Sequence, residues 1–87
     1  MRVIIDRAIP FVQGVLEPFA EVEYIDGNAF TREVVASADA LIIRTRTRCN
    51  KALLEGSKVQ FIATATIGFD HIDLDYCSSH NIAVSTS

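Results

Sequence analysis

Five short apolar runs constrain this chain more than any other feature: Val3-Ile4-Ile5, Val22 to Ile25, Leu41-Ile42-Ile43, Phe61-Ile62-Ala63 and Ile82-Ala83-Val84. They recur about every 20 residues and are rich in Val and Ile. Three are continuous rather than alternating. A strand covered on both faces needs such a run, because each side chain then meets apolar neighbours. The stretches between the runs read as helices. Regular strand–helix alternation predicts a parallel sheet with right-handed crossovers.

Each intervening stretch carries its own helix punctuation. Pro10 suits the first position of a helix, and Phe11, Val12, Val15, Leu16 and Phe19 fall on one face behind it. Pro18 predicts an end or kink near Glu17, since an internal proline removes a backbone bond and clashes with the preceding turn. Thr31 is placed to cap a short second helix holding Val34 and Val35, with Glu33 in the first turn, where the helix dipole favours an acid. Asn50 caps a third, stopped at Gly56. Asp73 caps a fourth, with Ile72 and Cys77 spaced as a hydrophobic staple. The predicted fold is α/β: a flavodoxin-like open parallel five-stranded sheet, order 2-1-3-4-5, with helices on both faces.

Composition narrows the function. With 49% hydrophobic and 22% charged residues among 87, the chain can build one small core and is not a disordered segment. A net charge of -3 gives no global attraction for nucleic acid or an anionic membrane. The opening Met-Arg-Val-Ile-Ile-Asp reads as a core strand rather than a signal peptide, and no apolar run nears the roughly 18–20 residues of a membrane span. Cys49 and Cys77 are compatible with one disulfide but make no framework, and a reducing, cytoplasmic location fits best.

Sheets of this type place ligands beyond the carboxyl ends of their strands. After strand one comes Asp6 to Pro10, after strand three Arg44-Thr45-Arg46-Thr47-Arg48, and after strand four Thr64-Ala65-Thr66-Ile67-Gly68-Phe69-Asp70-His71. Strands three and four should be neighbours. Their ends together offer guanidinium groups, hydroxyls and a glycine turn, which suits a small, hydroxylated, anionic ligand. Gly68 allows a sharp turn whose amides can face a carboxylate. Simpler roles fit equally well. Arg44 to Arg48 also reads as a solvated strand end, Thr64 and Thr66 as turn residues satisfying local backbone, Gly68 as a plain turn glycine and Asp6 as a helix cap.

Other chemistries find little support. Asp70, His71, Asp73, Asp75, Cys77 and His80 lie close in sequence, but lack the glycine and terminal glutamate of a calcium loop and the ligand number of a zinc site. Neither histidine has a partner visible in the sequence that would make it a catalytic base. The four glycines form neither GxGxxG nor GxxxxGK[ST], so no nucleotide site is recognisable. A phosphoacceptor receiver domain shares the strand order. It needs an aspartate after strand three, where this chain has Arg44.

The ordered set Arg44 to Asn50, Leu53 to Gly56 and Phe61 to Asp73 resembles the D-isomer-specific 2-hydroxyacid dehydrogenases. Their N-terminal portion carries an Arg-Ser/Thr-x-Thr stretch after strand three and a Gly-x-Asp-x-Ile/Val-Asp turn after strand four. The resemblance runs over essentially the whole chain. It implies an NAD-dependent, two-domain, homodimeric enzyme acting on a small hydroxy acid. The Thr-Ala-Thr-x-Gly-x-Asp-His form, with Asp6 and Pro10, resembles a branch whose substrate is phosphorylated. By this resemblance Thr45, Thr66, Gly68 and, less directly, Arg44 contact substrate. Residues 1–87 would be the N-terminal part of the substrate-binding domain. The NAD-binding domain, the catalytic Arg, Glu and His and a C-terminal dimerisation region have no counterpart here. A truncated chain is therefore expected, inactive alone, binding no NAD itself and prone to self-association through uncovered apolar surface.

Overall fold

The computed structural model describes residues 1–9, 18, 20–65 and 68–86. Five strands form one parallel sheet: β1 (Arg2–Asp6), β2 (Glu21–Ile25), β3 (Ala40–Ile43), β4 (Phe61–Thr64) and β5 (Ala83–Thr86), in the order β2-β1-β3-β4-β5. Every neighbouring pair is parallel. All five apolar runs became strands, and the predicted order is the observed one.

Side-chain alternation sorts the sheet into two faces. Ile4, Leu41, Ile43 and Ile62 share a core with Phe30, Val35, Leu53, Leu54, Ile72 and Cys77. Three helices supply most of that second set: α1 (Arg32–Val35), α2 (Lys51–Leu54) and α3 (Leu74–Ser79). The opposite face groups Val3, Ile5 and Ala40 with Ile9, and with the partly buried Val22, Tyr24 and Ile42. Continuous Val/Ile runs are thus explained for β1 and β3, which contribute to both cores. β2 lies at the sheet edge and alternates instead, its Glu21 and Glu23 both pairing with Arg2. The helix predicted from Pro10 to Glu17 lies outside the described residues.

The helix starts follow the capping chemistry. The side chains of Thr31, Asn50 and Asp73 accept from the backbone N–H of Val34 (3.4 Å), Leu53 (3.1 Å) and Tyr76 (3.0 Å), each satisfying a donor the helix cannot. Ile72 and Cys77 are both buried in the core beside α3, as the staple spacing requires. α2 ends at Leu54, and Gly56 then adopts φ +80°, a left-handed turn that favours glycine. Asn81 plays the same part after α3 at φ 59°. A single 3-10 turn, Gly27–Ala29, follows β2 and has no counterpart in the sequence expectations.

A candidate anion site at the strand ends

The carboxyl ends of β3 and β4 sit side by side, with Ile43 in register with Thr64. Beyond them the two loops are laced together. Ala65 N–H donates to Ile43 O (2.9 Å), Cys49 N–H to His71 O (2.8 Å) and Asp73 N–H to Cys49 O (2.8 Å), so Cys49 and Ile72 form an isolated parallel bridge. The first loop turns tightly, with Thr47 N–H on Arg44 O at 3.2 Å.

Within this frame the alternating Arg/Thr stretch splits by exposure. Arg44, Thr45, Arg46 and Arg48 face solvent, whereas Thr47 is buried and donates its hydroxyl to Gly27 O at 3.2 Å. The three arginines differ from every other cation of the chain. Arg2, Arg7, Arg32, Lys51 and Lys58 each pair with a carboxylate. Among the described residues Arg44, Arg46 and Arg48 pair with none. Three guanidinium groups gathered at one strand end of a net acidic chain, with no counter-ion among the described residues, form a local anion-attracting surface.

The other predicted site residues divide. Thr45 and Gly68 are exposed on the paired loops, Gly68 at φ +96° with open space where a side chain would stand. The conformation, rather than crowding, is what favours glycine there. Thr66 lies outside the described residues. Asp6, expected as a cap, ends β1 with only 1% exposure, and its Oδ1 accepts from Ala8 N–H at 2.9 Å.

His71 has a partner that sequence spacing did not disclose. Its Nε2 lies 3.0 Å from Thr64 Oγ1, and both side chains are buried. The seven-residue separation matches no local motif, and only the return of the chain after Gly68 brings the two together. Burial holds His71 below its ordinary histidine range, with the nearby Asp70 charge opposing it. Burial also pushes the Cys49 thiol up to about 12, with the Cys77 thiol adding to the effect, and raises Cys77 through burial and the Asp73 charge. Both cysteines are free and buried, so neither is an activated nucleophile.

Among the described residues no group of three or more His, Cys, Asp and Glu is placed to hold a metal. The described glycines do not fit a dinucleotide's phosphates either. Gly27, Gly56 and Gly68 follow β2, α2 and β4, while β1 runs into Arg7-Ala8-Ile9. No helix among the described residues is long and apolar enough to cross a membrane.

An open parallel sheet with polar groups gathered at the ends of β3 and β4 is the architecture of an α/β ligand-binding domain. Residues 3–87 match the D-isomer specific 2-hydroxyacid dehydrogenase, catalytic domain, and the chain belongs to this family. Among its relatives are erythronate-4-phosphate dehydrogenases, 61% identical over 83 residues in Bacteroides thetaiotaomicron and 40% over 82 residues in Porphyromonas gingivalis. Each match takes in 94% of this chain but 24% and 22% of the relative, so the chain spans about a quarter of the length of these proteins. The fold recurs in Entamoeba histolytica 3-phosphoglycerate dehydrogenase bound to NAD+ (TM-score 0.78, 23% identity, 99% of this chain and 32% of that one). It recurs also in Aquifex aeolicus D-lactate dehydrogenase complexed with NAD and lactic acid (TM-score 0.74, 22% identity, 100% and 28%).

Proposed function

We propose that this chain forms the substrate-binding wall of an NAD-dependent erythronate-4-phosphate dehydrogenase. The reaction would oxidise 4-phospho-D-erythronate to 2-oxo-3-hydroxy-4-phosphobutanoate in pyridoxal phosphate biosynthesis. The observation that carries this reading is the set of three arginines on the loop after β3 that pair with no carboxylate among the described residues, beside the Gly68 turn after β4. A substrate with a carboxylate at one end and a phosphate at the other calls for several cationic donors within one small surface.

In this reading Arg44 supplies charge, and Thr45 and Thr66 supply hydroxyls that can donate to or accept from the substrate's own oxygens. The turn through Gly68 offers backbone N–H groups to the carboxylate. The work of these residues is binding and orientation, which lowers the entropic part of the barrier. The dinucleotide, the general base and the group that stabilises the developing carbonyl belong to other parts of the enzyme, including a separate NAD-binding domain. The whole enzyme is a homodimer in this reading, and the 87-residue chain alone self-associates and turns nothing over.

A chimera tests the assignment. The matching segment of the Bacteroides thetaiotaomicron relative is replaced by this chain, and NAD reduction is followed with 4-phospho-D-erythronate. Retained turnover, lowered mainly through a raised KM in Thr45→Ala and Arg44→Gln, is the expected result. A folded chimera that reduces NAD with 3-phosphoglycerate but not with 4-phospho-D-erythronate would place the chain in another branch of the family.

A further inference from the structure

The described glycines are needed for different reasons. Gly56 and Gly68 sit at positive φ, but Gly27, in the 3-10 turn after β2, does not. What Gly27 supplies is space. A Cβ placed on it would stand 2.7 Å from Arg46 Cδ, 3.4 Å from Arg46 Cγ and 2.8 Å from Asp6 Oδ2, so a larger residue would take the place of the arginine stem. Gly27 is buried although Arg46 as a whole is exposed, the usual arrangement of an arginine whose stem lies on the protein while its head stays in water. The next residue, Thr47, is buried and donates its hydroxyl to Gly27 O at 3.2 Å. The turn after β2 and the arginine loop after β3 are thus joined twice, by a packed stem and by a hydrogen bond. Between their strands lies β1, and the strand order reverses between β1 and β3. Open sheets take ligands at such a reversal. Asp6, the last residue of β1, leaves the guanidinium donors alone: its Oδ1 accepts from Ala8 N–H, and its Oδ2 has no hydrogen-bond partner among the described residues.

We infer that Gly27 and Thr47 are positioning residues for the anion site. Gly27 leaves room for the Arg46 stem over the end of β1, and Thr47 ties the arginine loop to the turn after β2. Neither residue touches the anion; both act through Arg46. A guanidinium carries five N–H donors in a rigid fork, all of them available here to phosphate or carboxylate oxygens. An arginine whose stem is already packed loses less freedom on binding than one that is not. This inference rests on the anion-site reading and adds to it a turn that lies two strands away from the arginine loop.

The test uses the 87-residue chain, with inorganic phosphate as the probe and the two Arg46 Hδ protons as reporters of the stem. In wild type the Hδ signals should be resolved from each other, because a packed stem holds them in different surroundings. Gly27→Ala should merge them and weaken phosphate binding about five-fold, the scale of one ordered ion pair near a surface. Thr47→Val should weaken binding by a similar factor, and Thr47→Ser, which keeps the hydroxyl, should restore it. In an Arg46→Gln background Gly27→Ala should have no further effect, whereas in Arg48→Gln its effect should persist. A role confined to folding would lower affinity in both backgrounds alike. Merged Hδ signals in wild type, unchanged phosphate affinity in Gly27→Ala, or an effect that persists in Arg46→Gln overturns the inference while leaving the anion site standing. Should Gly27→Ala not fold, the Thr47 variants decide: equal phosphate affinity in Thr47→Val and Thr47→Ser overturns it. If wild type binds no phosphate but its resolved Hδ signals merge in Gly27→Ala, the positioning contact stands and the anion reading falls.

Discussion

Thr64→Val removes the hydroxyl that bonds His71 and closes the loop after β4. The replacement keeps the shape and the β-branched preference for a strand, and exchanges one hydroxyl for a methyl. Thr64 is 1% exposed and His71 8%, so water does not readily replace the lost partner. Leaving a buried polar atom unsatisfied costs about 1–3 kcal/mol. The added methyl returns up to about 0.8 kcal/mol through apolar burial. The net loss is therefore on the order of 1–2 kcal/mol, which for a domain of this size lowers Tm by roughly 5–15 °C. Thermal unfolding at pH 7.5 followed by circular dichroism, with urea titration as a second measure, reads this directly. The double variant Thr64→Val/His71→Leu should recover much of the loss, since removing both partners of a buried pair is far milder than removing one. A single variant as stable as wild type, or a double variant no better than the single, would refute the account of this pair.

Three further outcomes are expected. His71 titrates below its unfolded value in the folded chain, so the folded state binds fewer protons than the unfolded one as pH falls through about 6.5. Its contribution is complete above that pH and is lost on acidification toward the folded value; urea midpoints at pH 7.5 and 5 should show a drop that His71→Gln reduces. Asp73→Ala removes the cap on Tyr76 N–H and should cost about 1 kcal/mol by chemical denaturation, more than Asp75→Ala, which caps nothing. Cys49 and Cys77 should resist iodoacetamide in the native chain and react on unfolding, as buried thiols with raised pKa values do; rapid native labelling would contradict their placement.

The fold was legible because its signals are local. Continuous Val/Ile runs mark strands buried on both faces, and Thr31, Asn50 and Asp73 announce helix starts through a bond only three residues long. The site was legible in outline, since the ends of β3 and β4 follow from strand order. Its internal contacts were not. Gly27 and Thr47 follow different strands, and nothing in their spacing shows that the Thr47 hydroxyl donates to Gly27 O. His71 reads as partnerless in sequence because Thr64 reaches it only after the chain reverses. The different fates of Thr45 and Thr47, one exposed and one buried, depend on the tight turn closed by Arg44 O.

The most direct test of the central claim is an amide chemical-shift map of this chain titrated with 4-phospho-D-erythronate. A ligand site at the β3 and β4 ends predicts saturable shifts from Arg44 to Arg48 and from Gly68 to His71. A polar depression of about 220 Å³ at the opposite end of the sheet, lined by Arg2, Ser37, Asp39 and Lys58 among others, should stay silent. Its charges are already paired, Asp39 with Lys58 and with the backbone N–H of Arg2. Saturable shifts there, with none on the two loops, would contradict the placement of the site.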